Sequence, residues 1–191
     1  MAWCYSAGVT KRQRSTDALP AVWLVSDARN DAGLLCAIAR LPRGSGVIFR
    51  HRHLDAAARR VRFEQVLRAA RARGCLVVLA GGMAEARAWG ADGAYGAARL
   101  VARGGAGVRL VTAHSLAEIG AARRADAVLL SPMFATRSHP GGAVLGAVRW
   151  LLLARRCRGK AVALGGIDAA RARRLGGVRF AAIDGLSAGR C

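Results

Sequence analysis

One feature restricts this chain more than any other: short apolar runs of strand type recur between longer Ala/Arg/Leu segments of helical period, from residue 22 almost to the end. The runs are Val22–Ser26, Val47–Arg50, Leu76–Ala80, Gly93–Tyr95, Arg109–Thr112, Ala127–Leu130, Ala161–Leu164 and Phe180–Ile183. Helical segments are predicted at Asp31–Leu41, Asp55–Ala72, Met83–Trp89, Ala97–Arg103, Ser115–Arg123, Ala143–Arg156 and Asp168–Leu175. The runs are apolar throughout, so both faces of each strand must be covered, as in a parallel sheet flanked by helices. Eight strands joined by seven helices fit a compact (β/α)8 TIM barrel, an α/β fold. Only Leu186–Cys191 remain for an eighth helix, which is predicted to be short or missing. The alternative is an open doubly wound sheet, but Val25–Asn30 after the first run lacks the glycine-rich turn expected there.

Two helix starts carry their own chemistry. Ser115 followed by Glu118 has the spacing of a capping box, and Asp168 after Gly165-Gly166-Ile167 is placed to cap the next helix. At 191 residues the chain is expected to hold one barrel domain over 21–191, preceded by an N-terminal arm over 1–20. A hydrophobic content of 53% excludes wholesale disorder. No apolar run approaches the roughly 20 residues that span a bilayer, and residues 1–14 reverse the charge order of a signal peptide. No membrane partner and a cytoplasmic location are therefore expected. The five cysteines are dispersed without a Cys-x-x-Cys pair, so reduced thiols and no zinc site are expected.

The net charge is +20, and all but Lys11 and Lys160 of the 31 basic residues are arginine. Such a charge attracts phosphates and nucleic acids alike. A nucleic-acid-binding module is one reading of it. Aromatic residues make up only 5%, however, and no RNA-binding, helix-turn-helix or zinc-finger pattern is present, so a nucleic-acid partner is not expected. Position has to identify the arginines that matter. In a barrel of this kind the reacting groups stand at the carboxyl ends of the strands. There, Arg50 and Arg52 sit two residues apart, facing one side if the chain is extended. The long loop Ser131–Gly142 and the Gly165-Gly166 turn before Asp168 are candidates for wrapping a phosphate.

The ordered set Trp23–Asp27, Arg50-x-Arg52, Gly90–Gly93, Thr112–Glu118, Ala125–Thr136 and Val162–Ile167 resembles the thiamine phosphate synthase superfamily, which includes thiazole tautomerases. The resemblance spans about residues 22 to 188 and implies a (β/α)8 transferase of thiamine biosynthesis. Such an enzyme couples hydroxymethylpyrimidine diphosphate to thiazole phosphate, releasing diphosphate. It also implies small phosphorylated pyrimidine or thiazole ligands. By that resemblance Arg50, Arg52, Thr112 and His139 would bind diphosphate. Thr136, Ser138, Gly165, Gly166 and Gly185 would bind the thiazole phosphate. Arg50, Arg52 and His114 would serve catalysis. His114 reads equally well as a ring that packs or caps at a strand end.

The departures are as informative. Magnesium is expected of the family, but Ala80-Gly81 replaces its Asn-Asp, and no carboxylate stands in Tyr95–Arg99. Magnesium needs oxygen ligands, so no metal site is expected, and Arg99 with Arg50 and Arg52 is the candidate replacement for its charge. Asp184, beside Gly185, would repel a phosphate unless it points away. A catalytically silent or tautomerase-like barrel that binds a thiamine-related phosphate is thus a second reading. The oligomeric state has no signature in the sequence.

Overall fold

Trp23, on the first strand, lies wholly inside the molecule and sets the geometry of one end of a closed barrel. This computed structural model describes residues 19–101, 105–137 and 141–187. Its strands are β1 (Val22–Val25), β2 (Gly46–Phe49), β3 (Leu76–Ala80), β4 (Gly93–Gly96), β5 (Val108–Ala113), β6 (Ala127–Leu130), β7 (Ala161–Leu164) and β8 (Phe180–Ala182). Each pairs in parallel with the next, and β8 pairs with β1 to close the cylinder. The helices are α1 (Leu34–Arg40), α2 (Ala56–Ala72), α3 (Met83–Ala88), α4 (Ala98–Val101), α5 (Leu116–Ala121), α6 (Gly146–Arg156) and α7 (Ala169–Arg174). After β8 the described residues form a 3-10 turn, Asp184–Leu186, in the place where the sequence predicts a short or missing eighth helix.

Alternation along each strand sorts the apolar residues into two cores. Val25, Ile48, Val78, Leu110, Leu129, Val162 and Ala181 fill the cylinder with Trp23. Their neighbours Leu24, Phe49, Leu79, Val111 and Leu130 face outward into a second core with Ile38, Phe63 and Trp150 from the helices. At the amino end of the strands Trp23 is level with Gly46, and any side chain at Gly46 would collide with the indole. The Trp23 Nε1–H donates to Pro20 O at 2.9 Å, and Leu19 packs into the same interior cluster, so these two residues close that end. They are the described part of the expected N-terminal arm; residues 1–18 lie outside the described residues.

Two helix starts fall three residues later than the sequence expectation, each for a local reason. Asp27 forms a capping box with Asn30 and starts a 3-10 turn, Ala28–Gly33, so α1 begins only at Leu34. Helix α6 begins at Gly146 instead of Ala143 because the N–H groups of Leu145 and Gly146 are still bonded to the carbonyls of Pro132 and Met133. The Ser115 box is also shifted: Ser115 Oγ accepts from Glu118 N–H at 3.3 Å, but the Glu118 carboxylate accepts from His114 N–H at 2.8 Å. Cys75 and Cys157 are free and buried as expected. Cys36, by contrast, is disulfide-bonded, against the expectation of uniformly reduced thiols. Dispersal along the sequence says nothing of separation in the fold. Among the described residues no helix is long and apolar enough to cross a membrane.

Candidate active site at the carboxyl ends of the strands

Continuing the inward register by two residues beyond Ile48, Val78, Leu110, Leu129, Val162 and Ala181 reaches Arg50, Ala80, Thr112, Ser131, Leu164 and Ile183. With Tyr95 of β4, these residues floor a cleft of about 1290 Å³. The barrel therefore turns polar at its last layer, where the strands end. Of the residues singled out from sequence, Arg50, Arg52, Arg99, Thr112, His114, Thr136, Gly165, Gly166 and Gly185 all line this cleft. Ser138 and His139 lie outside the described residues.

The wall above β2 to β5 is cationic. Arg50, Arg52 and Arg99 line it, and among the described residues their side chains make no ion pair. Arg50 continues the inward register of β2, but Arg52 reaches the wall by a turn and not by extended chain: β2 stops at Phe49 and His51 has a φ of 37°. His51 is buried and stacks on Phe49 at 4.7 Å. Its Nε2 is 2.8 Å from Asp31 Oδ1, and its Nδ1 is 2.7 Å from Ser26 Oγ. Ser26 Oγ also accepts the Arg50 N–H at 2.8 Å. Asp31 in turn accepts from Arg62 Nε at 2.7 Å. These partners assign a neutral ring that donates through Nε2 and accepts at Nδ1 from the Ser26 hydroxyl. Burial depresses the His51 pKa, and this outweighs the opposing pull of Asp31. For Asp31, burial acts to raise the pKa, but the hydrogen bonds from His51 and Arg62 prevail and hold it low. The turn that carries the arginine pair is thus clamped from below.

The residues do not fit a magnesium ion. At the ends of β3 and β4 the cleft offers Ala80, Tyr95, Gly96 and Ala97, none of them a carboxylate. A carboxylate does lie near Gly81, where a Cβ would run into Glu85 Oε2. Glu85 is already taken: its Oε1 accepts from Arg59 Nη1 at 3.0 Å. Arg59 also donates through Nε to Arg50 O at 3.0 Å and through Nη2 to Ala80 O at 2.8 Å. Among the described residues no group of three or more His, Cys, Asp or Glu could hold a metal.

The opposite wall is built from the loops after β6, β7 and β8. Met133 N–H bonds Leu164 O at 2.8 Å and Phe134 N–H bonds Gly165 O at 3.0 Å, so the long loop docks on the glycine turn. Gly166, at φ 60°, leaves no room for a side chain, since a Cβ would come within 2.9 Å of Phe134 Cβ. The loop's length thus serves packing as well as exposing Thr136 and Arg137 to the cleft. Asp168 caps α7 as expected, accepting Arg171 N–H at 2.8 Å. Asp184 does not point away: it lines the cleft, with Oδ2 3.3 Å from Arg137 Nη2 and 3.7 Å from Arg29 Nη1. Two guanidinium groups offset the charge that the sequence marks as unfavourable to a phosphate.

Between the walls stands His114. Its Nδ1 is 2.7 Å from Ser131 O, an acceptor only, so Nδ1 carries the hydrogen and the neutral ring keeps its lone pair on Nε2. Burial pushes the Tyr95 phenol upward despite Arg50, Thr112 and Arg52 nearby, so it stays protonated. Sequence reasoning reached Arg137 only as part of the long loop, and missed Tyr95 and Arg171 as lining residues and Arg59 as the tie beneath them. Tyr95 was detectable from the two-residue register of β4, and Arg171 from its place three residues after a helix cap. Arg59 had no signal, because its acceptors come from three separate segments.

The molecule is a (β/α)8 barrel with an arginine-lined cleft at the carboxyl ends of its strands, the face that carries the active sites of enzymes with this fold. The chain belongs to the thiamine monophosphate synthase family, whose model matches residues 22–187. It is similar in structure to a thiamine phosphate pyrophosphorylase from Pyrococcus furiosus, with a TM-score of 0.68 and 18% identity, covering 88% of this chain and 86% of that one. A thiamine phosphate pyrophosphorylase from Bacteroides thetaiotaomicron gives 0.57 and 16%, covering 86% and 82%. A citrate synthase variant gives 0.58 at 10% identity, covering 87% of each chain, so these likenesses speak for the barrel alone. No curated protein matches the chain.

Proposed function

We propose that the protein is a transferase of thiamine biosynthesis that couples hydroxymethylpyrimidine diphosphate to thiazole phosphate, forming thiamine phosphate and diphosphate. In this reaction the bond from the pyrimidine methylene to the diphosphate oxygen breaks and its electron pair leaves with diphosphate. The thiazole nitrogen supplies the pair for the new carbon–nitrogen bond. The step requires charge to be met where the diphosphate departs. The observation that carries the reading is the pairing of two walls across one cleft. Arg50, Arg52, Arg99 and Thr112 stand on one side, and Thr136, Arg137, Gly166 and Gly185 on the other. The first set suits the diphosphate and the second the phosphate of the thiazole.

The test is to incubate the purified full chain with both precursors, and with each alone, and to assay for thiamine phosphate. Product only when both are present is the expected result; none under any condition rejects the transferase. A second reading is favoured by His114, whose Nδ1–H donates to Ser131 O and leaves Nε2 basic. In that reading the barrel binds a thiazole phosphate and moves a proton on it without joining it to a pyrimidine. Deuterium uptake into bound thiazole phosphate that disappears in His114→Ala would distinguish it. We further propose that residues 21–191 form the catalytic domain, preceded by an N-terminal arm over 1–20 whose Leu19 and Pro20 close the amino end of the barrel, and that the protein works in the cytoplasm without a membrane or nucleic-acid partner.

A further inference from the structure

We infer that this cleft takes a diphosphate group without a divalent cation, guanidinium groups supplying all of the positive charge. The inference rests on the diphosphate reading above and deepens it. It begins with the donor set. A hard divalent cation held against a diphosphate needs carboxylate or carbonyl oxygens from the protein. At the ends of β3 and β4 the cleft presents a methyl group, a phenol that burial keeps protonated, and backbone. Beside Gly81, after β3, Glu85 fills the space and pairs through one oxygen with Arg59. The carbonyls of Arg50 and Ala80 accept from the same guanidinium. One oxygen of Glu85 and both of these carbonyls thus accept from a single organic cation, which cannot lose its proton to make way for a metal.

Charge completes the argument. Arg50, Arg52 and Arg99 line the same wall, and none makes an ion pair among the described residues. Three guanidinium groups on a wall whose own lining has no carboxylate, Asp168 and Asp184 standing on the opposite wall, repel a divalent ion and attract the bare, highly charged diphosphate. Each offers a planar fork that can bind two phosphoryl oxygens at once. A metal ordinarily neutralises and bridges these oxygens. Here the forks would do both.

The experiment is calorimetric titration of the full chain with inorganic diphosphate, once in EDTA and once with magnesium in excess over diphosphate. Affinity in EDTA is expected to equal or exceed that with magnesium, because the metal competes with the protein for the ligand. Binding that appears only with magnesium, or tightens tenfold or more when it is added, overturns the inference but leaves the diphosphate site standing. No binding in either buffer overturns the site reading itself, and the inference falls with it. Arg99→Ala is expected to lose at least tenfold in EDTA, with Arg99→Lys recovering part of that loss. Unchanged affinity in an Arg99→Ala protein of normal melting temperature removes Arg99 from the proposal. Glu85→Gln keeps an acceptor for Arg59, and its affinity should stay indifferent to magnesium. A magnesium response in the parent that Glu85→Gln abolishes would make Glu85 a metal ligand and end the proposal.

Discussion

The Ser26 hydroxyl oxygen accepts the main-chain N–H of Arg50 at 2.8 Å, tying the end of the first strand to the turn that carries the arginine pair. The same oxygen lies 2.7 Å from His51 Nδ1. Both groups are buried or partly buried, so Ser26→Ala leaves a donor and an acceptor unmet, at a cost of about 1–3 kcal/mol. Denaturant melts should register that loss, and diphosphate titration should show weaker binding as the turn loosens. Full stability in Ser26→Ala would show that water replaces the hydroxyl.

Acid should weaken the fold through the same network. His51 has a folded pKa below the ordinary histidine value, so its contribution is complete above pH ~6.5 and is lost as pH falls through the lowered value. Asp31 is also depressed, and its contribution is lost at lower pH, below ~3.8. The charges facing His51 are Asp31, which favours protonation, and Arg62 and His53, which oppose it. Unfolding midpoints should decline from pH 7 to pH 5, and the decline should be shallower in His51→Gln. Equal slopes would remove His51 as its source.

Arg50→Ala and Arg52→Ala should each reduce affinity for inorganic diphosphate by roughly tenfold, the loss of about one charge-assisted contact. Each variant keeps the backbone carbonyl and amide that hold the turn, so melting temperatures should move little. Unchanged affinity in both would discard the assignment of this wall.

Asp184→Asn should act in the opposite sense. It removes the carboxylate that pairs with Arg137 and Arg29 and leaves a neutral side chain in the same place. Binding of inorganic phosphate should tighten several-fold as repulsion is relieved and Arg137 is released. Weaker binding would instead mean that Asp184 positions Arg137 for the ligand.

Gly46→Ala tests the closed end of the barrel. A methyl group there would lie within the Trp23 ring, and the overpacking should cost about 1–3 kcal/mol. A melting temperature equal to that of the parent would show that the indole can shift without strain.

Most of the barrel was readable because β-strands buried on both faces write themselves as apolar runs, and Leu76–Ala80, Ala127–Leu130 and Ala161–Leu164 coincide with the predicted runs. The start of α6 was not, because it depends on hydrogen bonds from Leu145 and Gly146 back to Pro132 and Met133. Within the site, Arg50 and Arg52 were visible as a local pair, although the backbone between them turns at His51. The partners that hold the pair, Asp31, Arg62 and Ser26, lie 20 or more residues from His51 or Asp31 along the chain. Closed parallel sheets bring such residues together through their three-dimensional order, which periodicity does not encode.

The single guanidinium of Arg59 joins the carbonyls of Arg50, just past β2, and Ala80, at the end of the adjacent β3, to a carboxylate on α3. Such a cross-brace makes the rim stiff before any ligand arrives. Little freedom remains to be surrendered on capture, so recognition at this rim should resemble a key entering a finished lock more than a hand closing.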